Sequence, residues 1–137
     1  MIDRAFHDRT QAKKSLERCL KNPRFLDRFY EVFFASSQEI RAKFLHTRLP
    51  NQKIMLKASL HIMLMMAAGR MQHSSQLEQL AKRHGPSDLA IRPEWYTNWI
   101  DSMLVAARET DPLFSADVER CWRAALQPGV EFFKSYS

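Results

Sequence analysis

The chain has 137 residues, the length of one domain, and at this size about two thirds of the surface of the unfolded chain can be buried. Hydrophobic residues make up 45% and charged residues 26%, with only three Gly and six Pro, which excludes collagen-like, linker-like and low-complexity chains. Val, Ile and Thr together number only 14 and do not alternate with polar residues, so the usual material of a β-sheet is missing. We therefore expect one all-α domain over residues 1–137.

The formal net charge is +6, and it is unevenly distributed. Residues 1–57 carry 13 Lys and Arg against 6 Asp and Glu, whereas residues 58–137 carry 8 against 9. Basic surfaces attract nucleic acid, anionic lipid or acidic proteins. No helix-turn-helix signature or interleaved aromatic residues accompany the charges, so nucleic acid is not favoured as a partner. Acidic proteins and anionic lipid remain as the partners that this charge could attract.

The terminus and the cysteines predict a cytoplasmic protein. The first residues lack an apolar segment of secretory length, and the longest apolar run, Ile62 to Ala68, is too short to span a membrane. Cys19 and Cys121 are far apart and neither belongs to a Cys-x-x-Cys pair, so a zinc ribbon or a dithiol redox motif is not supported. Both are expected to be buried thiols.

The first half of the chain predicts three helices. An amphipathic helix is expected over about 8–20, and Asn22-Pro23 has the form of a cap and first-turn proline that open a second helix to about 35. The aromatic density of that second helix suits the centre of a core. Ser36-Ser37-Gln38-Glu39 has the Ser-x-x-Glu spacing of a capping box, which predicts a short third helix ending near Leu45.

The middle of the chain predicts two helices with polar residues on their inner faces. Pro50 opens a long helix to about Met71, and a shorter one covers about 75–84, before the Gly85-Pro86 stop. The inner stripe of the long helix contains one polar residue among apolar ones, in the order Gln52, Leu56, Leu60, Met63 and Ala67. On the shorter helix, His84 shares the stripe of Leu77, Leu80 and Ala81.

Two further helices are expected near the carboxyl end. Pro93 begins one that extends to about Glu109, and Ser115 caps the last one. Pro128-Gly129 is expected to bend or interrupt the last helix.

His84 is the most informative residue for function. A histidine that ends an amphipathic helix is often structural, because its imidazole can interact with the last carbonyls of the helix. Here it accompanies an aromatic-rich helix and a long helix that turns Gln52 inward over an apolar face. Together these are the elements of a haem pocket.

At these residues the chain resembles the globin family, in particular bacterial single-domain globins and the haem domain of flavohaemoglobins. The resemblance covers nearly the whole chain. The segment from Phe29 to Phe44, including Tyr30, is similar to the family's second helix and corner, and the segment from Asn51 to Leu56 is similar to the start of the distal helix. The stretch around His84, continuing through Ile91 to Tyr96, is similar to the proximal helix and its junction with the next helix.

The resemblance implies a globin fold around one haem b, which would bind dioxygen and other diatomic ligands such as nitric oxide or carbon monoxide. It makes His84 the iron ligand and Tyr30 and Gln52 the distal hydrogen-bond donors. The remaining residues that it assigns to the haem pocket are Phe44, Leu56, Leu80, Ile91 and Tyr96. Arg48, Lys53 and Arg92 are candidates to pair with the haem propionates, and His46 to face the haem edge.

Three uses of such a pocket stay open. The first is dioxygen binding. The second is nitric oxide dioxygenation with an external reductase, because the chain contains no Gly-rich fingerprint of a flavin or nicotinamide site. The third is a haem-free sensor or interaction module, which the two inward polar groups Tyr30 and Gln52 argue against. The glutamate that supports the proximal histidine in flavohaemoglobins has no clear counterpart, since Glu131 lies beyond Pro128-Gly129.

Overall fold

The computed structural model describes residues 4–67, 75–84 and 91–135. Within these ranges the chain forms helices and no strand, which confirms the expected all-α class. The helices are α1 (Arg4–Leu20), α2 (Phe25–Ala35), α3 (Gln38–Lys43), α4 (Leu49–Ala67), α5 (Ser75–Arg83), α6 (Trp95–Thr110) and α7 (Ala116–Lys134). No helix in the described ranges combines the length and the apolar composition that crossing a lipid bilayer requires.

Most of the predicted helices are present, with shifts at their ends. Helix α1 begins four residues earlier than expected, at Arg4, and α6 begins at Trp95 and not at Pro93. The expected end of α4 at Met71 and the expected stop at Gly85-Pro86 lie outside the described residues. These differences are small because apolar periodicity defines the middle of a helix better than its ends.

The caps of the helices confirm one prediction and correct two. The Ser115 hydroxyl accepts a hydrogen bond from the Val118 N–H at 3.2 Å, as expected for the cap of α7. Helix α3 is capped by Ser37, whose Oγ accepts from the Ile40 N–H at 3.4 Å, so the predicted capping box on Ser36 is wrong. The predicted cap of α2 at Asn22-Pro23 is also wrong, because α2 begins at Phe25 with Arg24 as its N-cap and no side-chain cap hydrogen bond. Asn22 instead accepts from the Arg24 N–H at 2.9 Å in the turn before the helix.

A buried polar network joins α1 to α7 and to the end of α6. The Trp122 indole N–H donates to Ser15 Oγ at 2.8 Å, and Ser15 donates to Asp111 Oδ2 at 2.6 Å. Arg18 completes the network with two hydrogen bonds to the Asp111 carboxylate, at 2.6 and 3.0 Å. Each polar group in this part of the core therefore has a partner, which removes most of the cost of its burial.

Helix α7 runs from Ala116 to Lys134 without interruption, so of the two outcomes expected at Pro128-Gly129, a bend or an interruption, the interruption is wrong. A proline inside a helix removes one backbone hydrogen bond, and the surrounding packing can compensate for that loss. Here Gly129 lies against Met63 of α4, and a Cβ built on Gly129 would be 2.8 Å from Met63 Cγ. The glycine thus allows α4 and α7 to approach closely, and α7 continues to Phe133.

Candidate functional site

A cleft lined mainly by apolar side chains lies between α2, α4, α6 and α7, and the end of α3, His84 and Ile91 also contribute to its lining. It is partly open to solvent. A small organic molecule could therefore enter it from outside.

Tyr30 and Gln52 meet at the α2–α4 side of the cleft. The Tyr30 hydroxyl donates to the backbone carbonyl oxygen of Gln52 at 3.0 Å. The Tyr30 ring is 5% exposed, and burial raises the pKa of its phenol well above the ordinary value, so the hydroxyl keeps its proton at neutral pH. The side-chain amide of Gln52 also lines the cleft and makes no hydrogen bond within the described residues.

Aromatic rings of α2 and of the turn after α3 form one wall. The Phe44 ring stacks on Phe34 with centroids 5.7 Å apart and lies 6.0 Å from Phe33. Phe29 contacts Tyr30 edge to face at 4.9 Å and Trp99 of α6 at 6.0 Å. These contacts fix the rings of the wall, because each is held by at least one neighbour.

His84 and Tyr96 both pack on Phe133, near the carboxyl end of α7. The His84 ring centroid is 5.2 Å from that of Phe133, and the Tyr96 ring lies parallel to Phe133 at 6.3 Å. The backbone N–H of His84 donates to the Ala81 carbonyl at 3.1 Å, and the His84 carbonyl accepts from the Ile91 N–H at 2.9 Å. The backbone of His84 is thus bonded on both sides, and its half-buried ring lines the cleft.

The Tyr96 hydroxyl is buried, and it has no hydrogen-bond partner within the described part of the chain. Burial raises the pKa of Tyr96 to about 12, so the hydroxyl is a protonated donor at neutral pH. An unpaired buried hydroxyl costs about 1–3 kcal/mol. Because Tyr96 lines the cleft, a polar group of a bound molecule or an ordered water could satisfy it.

The cleft brings together seven of the residues that the sequence predicted for a site. They are Tyr30, Phe44, Gln52, Leu56, His84, Ile91 and Tyr96. Helix α5 contains Leu80, but the side chain of Leu80 lies outside the described residues. His46 is exposed and does not line the cleft, and His73 lies outside the described residues.

Sequence reasoning missed Trp95, Trp99 and Phe133, which line the cleft together with Met63. Phe133 was missed because a bend or interruption was expected at Pro128-Gly129. Trp95 and Trp99 could have been predicted, because residues four positions apart share one face of a helix. Lys43 was also missed. It is the only Lys or Arg that lines the cleft within the described residues, and it lies at the end of α3.

Arg48, Lys53 and Arg92 were expected to pair with the haem propionates. Two of the three are instead paired with carboxylates of the protein. Arg92 bonds Glu39 at 2.6 Å, with its guanidinium 5.8 Å from the Trp95 ring centroid, and Lys53 pairs with Asp27 of α2. Arg48 is exposed, and none of the three lines the cleft. Glu131, the doubtful counterpart of a supporting glutamate, is likewise exposed, and it accepts a hydrogen bond from Gln127.

Comparison with known proteins gives one informative result. No family model matches the chain, and no curated protein matches it. The chain is similar to a solved structure described as protein PA3967 from Pseudomonas aeruginosa PAO1, structurally highly homologous to a human hemoglobin. The two chains are 36% identical, the match covers 94% of this chain and 97% of that chain, and the TM-score is 0.89. The similarity therefore extends over almost the full length of both.

Proposed function

The chain belongs to the globin family, and on that basis we propose that it binds haem b and uses it to bind dioxygen and other diatomic gases reversibly. The observation that carries the proposal is the content of one cleft. A histidine, two buried tyrosines and a glutamine line a space that is otherwise mainly apolar. Such a combination suits a flat apolar cofactor that needs one axial nitrogen and a few hydrogen-bond donors.

Three features of the cleft fit the cofactor. The buried Tyr96 hydroxyl has no hydrogen-bond partner among the described residues, so it is available to a polar group of a bound molecule. The aromatic walls, which include Phe44 and Phe133, offer ring faces and edges to a planar macrocycle. Lys43 is a cation at the same cleft, and it is the residue that we propose to pair with a haem propionate.

His84 is the residue that we propose would hold the haem iron. When bound, haem supplies the iron centre that takes up diatomic gases. His84 would bind the iron through a neutral imidazole nitrogen, and its ring must therefore be held in a fixed direction. Its backbone is held at both its N–H and its carbonyl, and its ring packs on Phe133, so the imidazole is positioned by both main chain and side chain.

Tyr30 and Gln52 are the proposed donors to a ligand in the cleft. The Tyr30 hydroxyl stays protonated because burial raises its pKa, and the Gln52 amide has no competing partner in the described residues. A hydrogen bond to a ligand with partial negative charge contributes about 1.5–3 kcal/mol. The apolar side chains around them, such as Leu56 and Met63, exclude water from the same space.

The test is the visible spectrum of the purified protein with added haemin. We expect one haem per chain, a Soret band, and a reversible spectral change when the reduced protein meets dioxygen. His84→Ala should remove haem retention, because the axial nitrogen is lost. His46→Ala is the matched control, since His46 is exposed and does not line the cleft, and it should bind haem like the wild type.

Two outcomes would contradict the proposal. The wild-type protein could show no Soret band with haemin, in which case the cleft serves another ligand. Alternatively, His84→Ala could retain haem as tightly as His46→Ala, and His84 would then not be the ligand.

A further inference from the structure

A second group of metal-ligating side chains lies away from the cleft, where α1 crosses the first half of α7. It consists of His7 on α1 and of Asp117 and Cys121 on α7. One nitrogen, one oxygen and one sulfur from these residues all lie within 4.8 Å of one another. None of the three residues lines the haem cleft.

The two oxygens of Asp117 have different neighbours. Oδ2 is 3.7 Å from His7 Nε2 and 3.9 Å from Cys121 Sγ, whereas Oδ1 accepts a hydrogen bond from Arg120 Nη2 at 2.9 Å. A cation bound by Oδ2 therefore does not have to displace Arg120 from the carboxylate, but Arg120 Nη2 also lies 3.6 Å from Cys121 Sγ and would have to give up that contact. Asp117 and Cys121 are four residues apart, so they share one face of α7.

The spacing is close to that of a tetrahedral metal site. Zinc bonds to nitrogen, oxygen and sulfur of about 2.0–2.3 Å place tetrahedral ligands about 3.3–3.5 Å apart. The two distances to Asp117 Oδ2 are 3.7 and 3.9 Å. All three donor atoms lie within 4.8 Å of one another, so the ligands have to move together by up to about 1 Å to reach the tetrahedral spacing. The partly exposed side chain of His7 has room to make most of this movement.

The donor set selects the type of cation. An imidazole, a thiolate and a carboxylate together suit Zn²⁺ and similar transition metals, whereas Ca²⁺ and Mg²⁺ prefer oxygen donors alone. Asp8 lies beside the group, with Oδ1 3.6 Å from Cys121 Sγ, but it is engaged with Arg120 at 3.0 Å. Three protein donors leave the fourth position to water.

We propose that His7, Asp117 and Cys121 form a Zn²⁺ site that fastens the start of α1 to α7, independently of haem. On binding, Sγ of Cys121 forms a bond to the metal and its S–H bond breaks. The site therefore gains one Zn²⁺ and releases one proton to solvent. The bound metal would join residues more than a hundred positions apart in sequence and would stabilise the α1–α7 interface.

The test is equilibrium dialysis of the full chain against Zn²⁺, followed by X-ray absorption at the zinc edge, which haem iron does not disturb. We expect one zinc per chain and one sulfur neighbour at about 2.3 Å. His7→Ala should weaken binding at least tenfold, and Cys121→Ala should also remove the sulfur neighbour. His61→Ala is the matched control, because His61 is exposed and outside the group, and it should bind as the wild type does.

The circular dichroism of each variant shows whether it is folded, and the His7→Ala comparison stands even if the buried Cys121 variant is not. The proposal is overturned if the bound zinc has no sulfur neighbour, or if His7→Ala and His61→Ala bind zinc equally. In either case the group would be a network of polar contacts among His7, Asp8, Asp117 and Arg120 without a metal.

Discussion

At the scale of single residues, the Tyr30 hydroxyl has two possible acceptors. In the described structure it donates to the backbone carbonyl of Gln52, and in the proposed function it donates to a ligand in the cleft. The exchange replaces a bond worth about 1 kcal/mol with a charge-assisted bond worth about 1.5–3 kcal/mol. The net gain in ligand-binding free energy is therefore smaller than the full value of the charge-assisted bond, because the bond to Gln52 is lost.

Tyr30→Phe removes this donor while keeping the ring. We expect the dissociation rate of dioxygen from the haem-loaded protein to rise about tenfold, which corresponds to about 1.4 kcal/mol. Stopped-flow displacement of dioxygen by carbon monoxide measures the rate. Thr47→Val, an isosteric change elsewhere in the cleft lining, is the control and should change the rate less than twofold. Equal rates in wild type and Tyr30→Phe would remove Tyr30 from the site.

The Asp111 carboxylate is the most engaged acidic group in the core. Burial alone raises its pKa, but hydrogen bonds from Arg18, Ser15 and the Leu113 N–H outweigh that effect and hold the pKa below its usual value. A carboxyl whose pKa is lower in the folded state stabilises the fold above its unfolded pKa. This contribution is lost as the pH falls through the folded pKa.

Asp111→Asn should lower the free energy of unfolding at pH 7 by about 3 kcal/mol, because it leaves Arg18 without its buried partner. The variant should also lose less stability than the wild type when the pH falls from 5 to 3. Urea unfolding at several pH values measures both effects. The control Asp101→Asn breaks an exposed pair with Arg123 and should cost less than about 1 kcal/mol. Parallel pH profiles for wild type and Asp111→Asn would contradict the assignment.

The site residues differ in how far the sequence could predict them. The sequence predicted His84, Tyr30 and Gln52 from their positions in helical patterns and from the family resemblance. All three line the cleft. Lys43 could not be predicted, because an isolated lysine at the end of a short helix has no pattern that distinguishes it from a solvated one. Its position depends on how the α3–α4 corner folds over the cleft.

At the scale of helices, the close contact between Gly129 and Met63 sets the distance between α7 and α4. Alanine at position 129 would gain about 1 kcal/mol of helix propensity. Its Cβ would lie 2.8 Å from two Met63 side-chain carbons, and overpacking of this kind costs about 1–3 kcal/mol. Met63 is 2% exposed and also lines the cleft, so its side chain has little space to move once a ligand occupies the cleft. In the haem-loaded protein we therefore expect the cost to outweigh the gain.

We expect Gly129→Ala to destabilise the haem-loaded protein by about 1 kcal/mol in urea unfolding. In a Met63→Ala background the same change should be about 1 kcal/mol less unfavourable, because the contacts with Cγ and Cε are gone and only the 3.2 Å contact with the Cβ of residue 63 remains. Ala124→Gly, at an exposed position of α7, is the control for propensity and should cost about 1 kcal/mol. A stabilising effect of Gly129→Ala in the wild-type background would contradict this prediction, because it would show that the Met63 side chain moves aside at little cost.

The sequence predicted the interiors of the helices better than their ends. Ser36 and Ser37 are adjacent candidates for one cap, and only the geometry of the turn selects Ser37. The Ser36 hydroxyl donates instead to the Phe33 carbonyl at 2.6 Å and closes the end of α2. The continuity of α7 past Pro128 was not predictable from local preference, because the packing of Gly129 on α4 and of Phe133 on His84 supports it.

At the scale of the whole molecule, the all-α class followed from composition, whereas the cleft depends on contacts between distant helices. A ligand that binds only the folded state stabilises it by mass action, by about 4 kcal/mol at a thousand times its dissociation constant. For a domain of this size that amount raises Tm by roughly 10 °C or more. We therefore expect haemin to raise Tm by at least this amount.

Thermal unfolding followed by circular dichroism, with and without haemin, measures the shift. In His84→Ala the shift should be several degrees smaller, because retention is lost. An equal rise in the wild type and in His84→Ala would indicate non-specific association of haemin with apolar surface.

The three tryptophans divide between two environments. Trp95 and Trp99 line the cleft, whereas Trp122 is fully buried and donates its indole N–H to Ser15. In the haem-free protein, a small neutral collisional quencher that enters the cleft would reduce the fluorescence of the first two and leave Trp122 emitting. The molecule thus contains its own pair of optical reporters, one for occupancy of the cleft and one for the integrity of the core.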